Sequence, residues 1–253
     1  MKFSANLGFL WRELELPDAI RAAKQAGFSD VECHWPYDTP AKKVREALKE
    51  TGMTMLGLNT HPGDLDEGDF GLCALPDRMD EGRAAIDQAV AYANATGTKC
   101  IHVMAGKSKG AEAAKAFVQN LRYACERAAP FGITILIEPL NTYDVPGYFL
   151  TSTAEAQRII DMVDEPNIKI MFDCYHMQLM QGDLSNTLRD LLPKIGHIQI
   201  ASVPDRAQPD HGELDYSYVL QLIADLEYSA PIGAEYKPGK PTDQTLGWLK
   251  KYL

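Results

Sequence analysis

The feature that most constrains this chain is an alternation that runs its whole length. Eight short apolar runs recur: FSANLGF (3–9), DVECHW (30–35), TMLGLNT (54–60), KCIHVMAG (99–106), TILIEP (134–139), IKIMFD (168–173), HIQIAS (197–202) and PIGAEYK (231–237). Longer amphipathic stretches separate them. A parallel strand pair needs a crossover of a dozen or more residues, usually a helix. Strict alternation therefore dictates a parallel sheet covered by helices. Eight such units in 253 residues match a closed (β/α)8 barrel, typically about 250 residues long. The expectation is an α/β TIM barrel, with residues 1–253 forming a single domain. Neither G-x-G-x-x-G nor G-x-x-x-x-G-K-[ST] follows any strand, which removes the usual sign of a nucleotide-binding sheet.

Helix ends are readable in places. TPAKKVREALKETG places Thr39 as the expected N-cap and Pro40 at the first helical position. DAIRAAKQAGF closes on a glycine, and STAEAQRIIDMV opens with Ser152 or Thr153 as its cap, following the proline-in, glycine-out asymmetry. DYSYVLQLIADLEY and TDQTLGWLKKYL are expected to be the last two helices.

The net charge of −10 repels polyanions, which argues against nucleic acid or an acidic membrane as the main partner. No apolar run approaches the eighteen or so residues that cross a bilayer, and the N-terminus meets acidic residues too early for a signal peptide. Five scattered cysteines without a C-x-x-C pair fit a reducing compartment. A soluble, cytoplasmic protein acting on a small molecule is expected, with a homo-oligomer left open.

Barrel chemistry sits at the C-terminal strand ends. Those ends carry Asn6, Glu32, His34, Asn59, His61, His102, Glu138, Asn141, Asp173, His176, Gln199, Ser202, Glu235 and Lys237. Strand ends are also where chains turn polar anyway, so single residues such as His34, His61 and His102 decide little. Four consecutive strands are more informative, because Glu138, Asp173, Gln199 and Glu235 should converge on one half of the mouth. Two like charges about 4 Å apart cost about 4 kcal/mol at an effective dielectric near 20. Three such pairs rival the whole stability of a domain, about 5–15 kcal/mol. A divalent cation resolves the conflict, and all-oxygen ligation suits Mg²⁺ or Mn²⁺ better than zinc. Such a cation next to a sugar-like carbonyl acidifies the adjacent C–H, and flanking carboxylates can carry the proton. Glu138 and Glu235 are the expected acid/base pair, with Asp173 and Gln199 as ligands. The reaction class is aldose–ketose isomerisation or epimerisation, without a redox cofactor.

These residues resemble a family. ILIEPLN, FDCYHMQLMQGDL, GHIQIASVPDR followed by GELDY, and GAEYKP look like the hydroxypyruvate isomerases, within the sugar-isomerase and endonuclease-IV-like TIM barrels. FSANLGFLW and GLCALPDR extend the likeness over nearly the whole chain. The resemblance implies one divalent metal on Glu138, Asp173, Gln199 and Glu235, and interconversion of hydroxypyruvate and tartronate semialdehyde. It implies His176 as a substrate-binding residue and Arg206 as a partner for a substrate carboxylate, with Lys237 as a further contact. The chain departs from the family pattern at ECHWPY, NTHPGDLDEGDF and SVPDRAQPDHGELDY. His34 and His61 are thereby added to the expected pocket, and a four-carbon 2-oxo-tetronate fits as well as hydroxypyruvate. The long loop from His61 to Gly82 is a candidate lid. Rival readings are a ketose 3-epimerase, an endonuclease, an inositol-type dehydratase and a non-catalytic sugar-acid-binding protein.

Overall fold

The computed structural model describes residues 1–252. Eight strands form where apolar and β-branched residues cluster: β1 (Phe3–Asn6), β2 (Asp30–Glu32), β3 (Gly57–Asn59), β4 (Cys100–His102), β5 (Thr134–Ile137), β6 (Ile168–Asp173), β7 (Ile195–Ile200) and β8 (Ile232–Ala234). All ladders are parallel, in the order β2-β1-β8-β7-β6-β5-β4-β3. The seam between β2 and β3 closes through the parallel bridge Val31–Met55 and a hydrogen bond from Cys33 N to Gly57 O at 3.1 Å. The expected barrel is therefore the observed one.

The helices are α1 (Leu16–Gln25), α2 (Ala41–Thr51), α3 (Met79–Thr96), α4 (Gly110–Ala128), α5 (Thr153–Val163), α6 (Cys174–Met180), α7 (Leu184–Leu191) and α8 (Tyr216–Asp225). Ser152 caps α5 by accepting from the Glu155 N–H at 3.2 Å. Thr39 does not cap α2. Pro40 is the flanking residue and α2 begins at Ala41, because Thr39 sits one position too early and its own N–H closes a turn onto Pro36 O. The final stretch is not an α-helix either, forming only 3₁₀ turns at Thr242–Thr245 and Leu249–Lys251. Its polar groups bond outward instead: Thr242 Oγ1 accepts from Trp11 N at 2.8 Å and Asp243 from the Trp11 indole at 3.0 Å. Trp248 then packs edge-on against Phe3, with centroids 5.1 Å apart.

Register places the chemistry. Asp173 on β6 is paired with Gln199 on β7, and Gln199 in turn with Gly233 on β8. Glu138 and Glu235 each follow their strand by one residue. Apolar side chains on the interior and helix-facing sides form one continuous core that includes Ile101, Ile135, Phe172 and Ile198.

Candidate active site

At the C-terminal mouth, a small pocket holds Glu138, Glu235, Arg206, His34, His102 and His176 under the aromatic rings of Phe9, Trp35 and Phe70. Its free space is about 60 Å³, several times the volume that one water centre needs. Asp173 is buried 3.6 Å from Arg206 Nη2, and Gln199, its partner in the next strand, is buried as well. Glu138, Asp173 and His176 bring a donor atom each within 4.8 Å of one another.

Charge is the dominant fact of this pocket. Glu138, Asp173 and Glu235 are all buried, and Arg206 is the buried guanidinium among them, with Nη2 3.2 Å from Glu235 Oε1 and 3.6 Å from Asp173 Oδ2. His102 and His176 add little positive charge. Burial, reinforced by His34, pushes His102 down to about 3; burial and then Arg206 hold His176 well below its usual value. Two negative charges are left without a partner. Burial, followed by Glu235 and Asp173, accordingly raises Glu138 far above the ordinary carboxylate range. Burial lifts Asp173 to about 7 despite the opposing pull of Arg206.

The same atoms lack hydrogen bonds. Glu138 Oε1, Asp173 Oδ2 and Gln199 Oε1 are buried oxygens with no partner. Unpaired buried polar atoms are uncommon and costly. Three oxygens with an excess charge of two fit a hard divalent cation, so the residues present suit Mg²⁺ or Mn²⁺.

His176 is a different kind of neighbour. Its Nδ1 accepts from the Asn141 backbone N–H at 3.0 Å and lies 2.7 Å from Asn141 Nδ2. The amide orientation is fixed, because Asn141 Oδ1 accepts from the N–H groups of Tyr143 and Asp144. The remaining ring proton of His176 is therefore on Nε2, 3.6 Å from Asp173 Oδ2 and 3.9 Å from Glu138 Oε1. That nitrogen is a hydrogen-bond donor rather than a metal ligand, although proximity alone groups it with the two carboxylates.

The other sequence-derived residues divide. His34 Nε2 lies 3.1 Å from Glu235 Oε1, the oxygen also held by Arg206. His102 Nδ1 is 3.4 Å from Glu138 Oε2, and neither ring nitrogen has a hydrogen-bond partner. Arg206 is sandwiched between the rings of Phe9 and Tyr175, 5.0 Å from each centroid, and its Nε is buried without a partner. Lys237 is exposed, outside the pocket lining, and its backbone N–H instead holds Arg206 O at 2.7 Å. His61 is exposed too, facing an outer groove with Trp35 and Arg78.

The loop that His61 begins is partly fastened. Cys73 N and Ala74 N donate to Met104 O and Ala105 O, and Lys107 Nζ donates to Gly68 O at 2.6 Å. Arg78 holds both Asp69 carboxylate oxygens at 2.8 Å. Phe70 at its tip forms part of the pocket wall.

Reading the strand ends names Glu32 without giving it a role and passes over His197; both lie inside the barrel below the pocket. His197 Nε2 is 2.6 Å from Glu32 Oε2. Burial pushes Glu32 up, but the His197 charge and the surrounding donors outweigh it and its net shift is downward. The sequence signal for this pair is slight: a carboxylate at the end of the short strand DVE and a histidine inside the largely apolar strand IGHIQI.

The pattern of a xylose isomerase-like TIM barrel matches residues 20–252. The chain belongs to that family. A putative hydroxypyruvate isomerase of Danio rerio is 44% identical, over all of this chain and 95% of the relative. A 2-oxo-tetronate isomerase of Cupriavidus necator is 42% identical, over all of this chain and 98% of the relative. Among solved structures, one described as an AP endonuclease, family 2, from Brucella melitensis superimposes with a TM-score of 0.95 at 38% identity, covering 99% of this chain and 98% of the other. The chain is thus a hydroxypyruvate isomerase-like enzyme whose curated relatives are isomerases. Among the described residues, no helix is long and apolar enough to cross a membrane.

Proposed function

We propose that this chain is a divalent-metal-dependent aldose–ketose isomerase of a small 2-oxo acid, converting hydroxypyruvate and tartronate semialdehyde into one another. The observation that carries the reading is the pair of unpartnered buried oxygens on Glu138 and Asp173, close to the buried Arg206, with the unpartnered Gln199 Oε1 on the residue paired with Asp173 in the next strand. Glu138, Asp173, Gln199 and Glu235 would hold Mg²⁺ or Mn²⁺, which supplies electrostatic stabilisation of negative charge developing on the substrate oxygens.

The protein's own groups account for the rest. One of the two glutamates removes a proton from the hydroxymethyl carbon of hydroxypyruvate, and a proton is returned to the former carbonyl carbon; the hydroxyl proton moves from one oxygen to the other. Glu235 is held for this through its Oε1, which accepts from Arg206 Nη2 and lies 3.1 Å from His34 Nε2. Glu138 lines the same pocket. His176 Nε2–H offers a hydrogen bond to a substrate oxygen on which charge develops. Arg206 adds a cation for the substrate carboxylate, and its stacked guanidinium is pre-ordered for that contact. Phe9, Trp35 and Phe70 exclude water from the reacting carbons. The pocket size and the net charge of −10 favour a small acid over a nucleic acid.

A second substrate, 2-oxo-tetronate, is favoured by the near-equal identity to a relative named for it. Proton NMR in D₂O decides between them. Chelated protein is given each acid with and without Mg²⁺ or Mn²⁺. Metal-dependent product and deuterium uptake beside the carbonyl are expected, and the faster acid identifies the chain length. No exchange with either acid under any metal would overturn the assignment.

A further inference from the structure

Gln199 carries an ambiguity that a carboxylate ligand does not have. A terminal amide can offer either its oxygen or its NH₂ group to the site, and only the oxygen can bind a cation. We propose that Glu32 is the positioning residue that fixes this choice, holding the Gln199 NH₂ so that Oε1 faces the metal position. This inference rests on the metal-dependent reading above.

The contact is built from four strands. Gln199 Nε2 on β7 donates to Glu32 Oε1 on β2 at 2.7 Å, and Gln199 Oε1 is left buried and unpartnered. Three further groups hold the Glu32 carboxylate: Ser4 Oγ at 2.8 Å, Asn6 Nδ2 at 3.2 Å and His197 Nε2 at 2.6 Å. Glu32 can accept but not donate when ionised, so it imposes a direction on the amide. Gly233 on β8 supplies the space. A Cβ there would lie 2.7 Å from Glu32 Oε1 and 2.8 Å from Gln199 Cγ. Supporting groups around metal ligands commonly alter affinity 10–100-fold when changed.

The test reads metal binding directly, through free Mn²⁺ measured by electron paramagnetic resonance during titration of chelated protein. Glu32→Gln brings an NH₂ group into the cluster and lets the Gln199 amide turn over. Its Mn²⁺ dissociation constant is expected to rise about 10–100-fold. The exchanged pair, Glu32→Gln with Gln199→Glu, keeps the net charge and one N–H···O contact. It restores an oxygen toward the site, and Mn²⁺ affinity should recover to within about threefold of the parent. Circular dichroism in the near ultraviolet confirms that both variants retain packed aromatic side chains. Unchanged Mn²⁺ affinity in folded Glu32→Gln would overturn the proposal, and so would failure of the folded exchanged pair to recover. If Glu32→Gln does not fold, the exchanged pair alone decides. Absence of Mn²⁺ binding to the parent protein would refute the metal-dependent reading itself, a result distinct from either of these.

Discussion

His176 receives the Asn141 backbone N–H on Nδ1 at 3.0 Å, and this single bond sets what its other nitrogen can do. The ring proton must be on Nε2, facing the carboxylates of Glu138 and Asp173. A donor of that kind can serve a reacting oxygen without binding a metal. His176→Phe is therefore expected to lower kcat/KM by about 10²–10³-fold, the usual effect of losing one donor to a developing oxyanion. Its Mn²⁺ affinity should stay within about threefold of the parent. A parallel collapse of Mn²⁺ affinity would make the histidine a ligand instead.

The metal-free pocket stores an electrostatic conflict that depends on pH. Asp173 is raised to about 7 and Glu138 is raised strongly, both first by burial. A carboxyl whose folded value exceeds its unfolded one keeps its proton longer in the folded state. It therefore removes stability as pH rises from about 4 through the folded value. Cation binding needs both groups ionised and cancels that loss. The thermal shift produced by saturating Mg²⁺ or Mn²⁺ should accordingly be larger at pH 7.5 than at pH 5.5. Equal shifts at the two pH values would contradict the charge excess inferred for the pocket.

Removing one of the conflicting charges should separate stability from function. Asp173→Asn keeps the shape and deletes a buried carboxylate. The metal-free variant should melt higher than the metal-free parent at pH 7.5, by about 2–4 °C for each kcal/mol relieved in a chain of this size. It should also lose the thermal response to Mn²⁺ and the isomerase activity, as expected where a strained site is retained for function. A lower melting point would mean that Asp173 is stabilising even without the cation. Its acceptance of the Tyr175 N–H at 2.8 Å makes that comparison worthwhile.

The barrel was legible because apolar periodicity and helix spacing act locally, residue by residue. The nearness of Glu138 to Asp173, and the pairing of Asp173 with Gln199, were legible for a related reason: adjacent parallel strands must set their ends side by side. Contacts made by side chains across the barrel were not. Glu32 meets Gln199 through the interior, and nothing near either residue announces the other. Lys237, expected as a further substrate contact two residues after Glu235, is exposed. The C-terminal stretch has helical periodicity, but Thr242 and Asp243 are committed to Trp11, 231 and 232 residues away. Such tertiary bonds override local preference.

The loop that presents Arg206 is closed by a histidine. His211 lies between Asp205 and Asp210, 2.8 Å from each, while Asp205 also accepts from Ser202 Oγ. Arg206 itself has a left-handed φ of 53°. The bonds to Asp205 and Asp210 raise the His211 value above normal. The stabilisation is fully present below the unfolded value of about 6.5 and is lost as pH rises through the folded value. Amide exchange at residues 205–212, corrected for intrinsic rates, should accelerate above that point. His211→Gln should flatten the dependence. Identical profiles for parent and variant would remove His211 as the cause.

Gly71 joins the lid candidate to the barrel rim at a point where no side chain fits. Its φ is +111°, and a Cβ would lie 2.7 Å from Gly106 N, Met104 Cβ and Met104 O. Two of those three atoms are backbone, so the neighbours cannot turn aside. Gly97 also has a positive φ, 76°, but nothing lies within 4 Å of its Cβ position. Comparing the two glycines separates conformation from crowding. Gly97→Ala should cost about 1–2 kcal/mol from backbone conformation. Gly71→Ala should cost a further 1–3 kcal/mol, roughly, from overpacking. Because Phe70 is the adjoining residue and part of the pocket wall, Gly71→Ala should also raise KM for the acid substrate, whereas Gly97→Ala should not. Urea unfolding and initial-rate kinetics on the same two variants make the comparison. Equal stability losses would show that the loop shifts freely at Gly71, and that the attachment to residues 104–106 does not hold it.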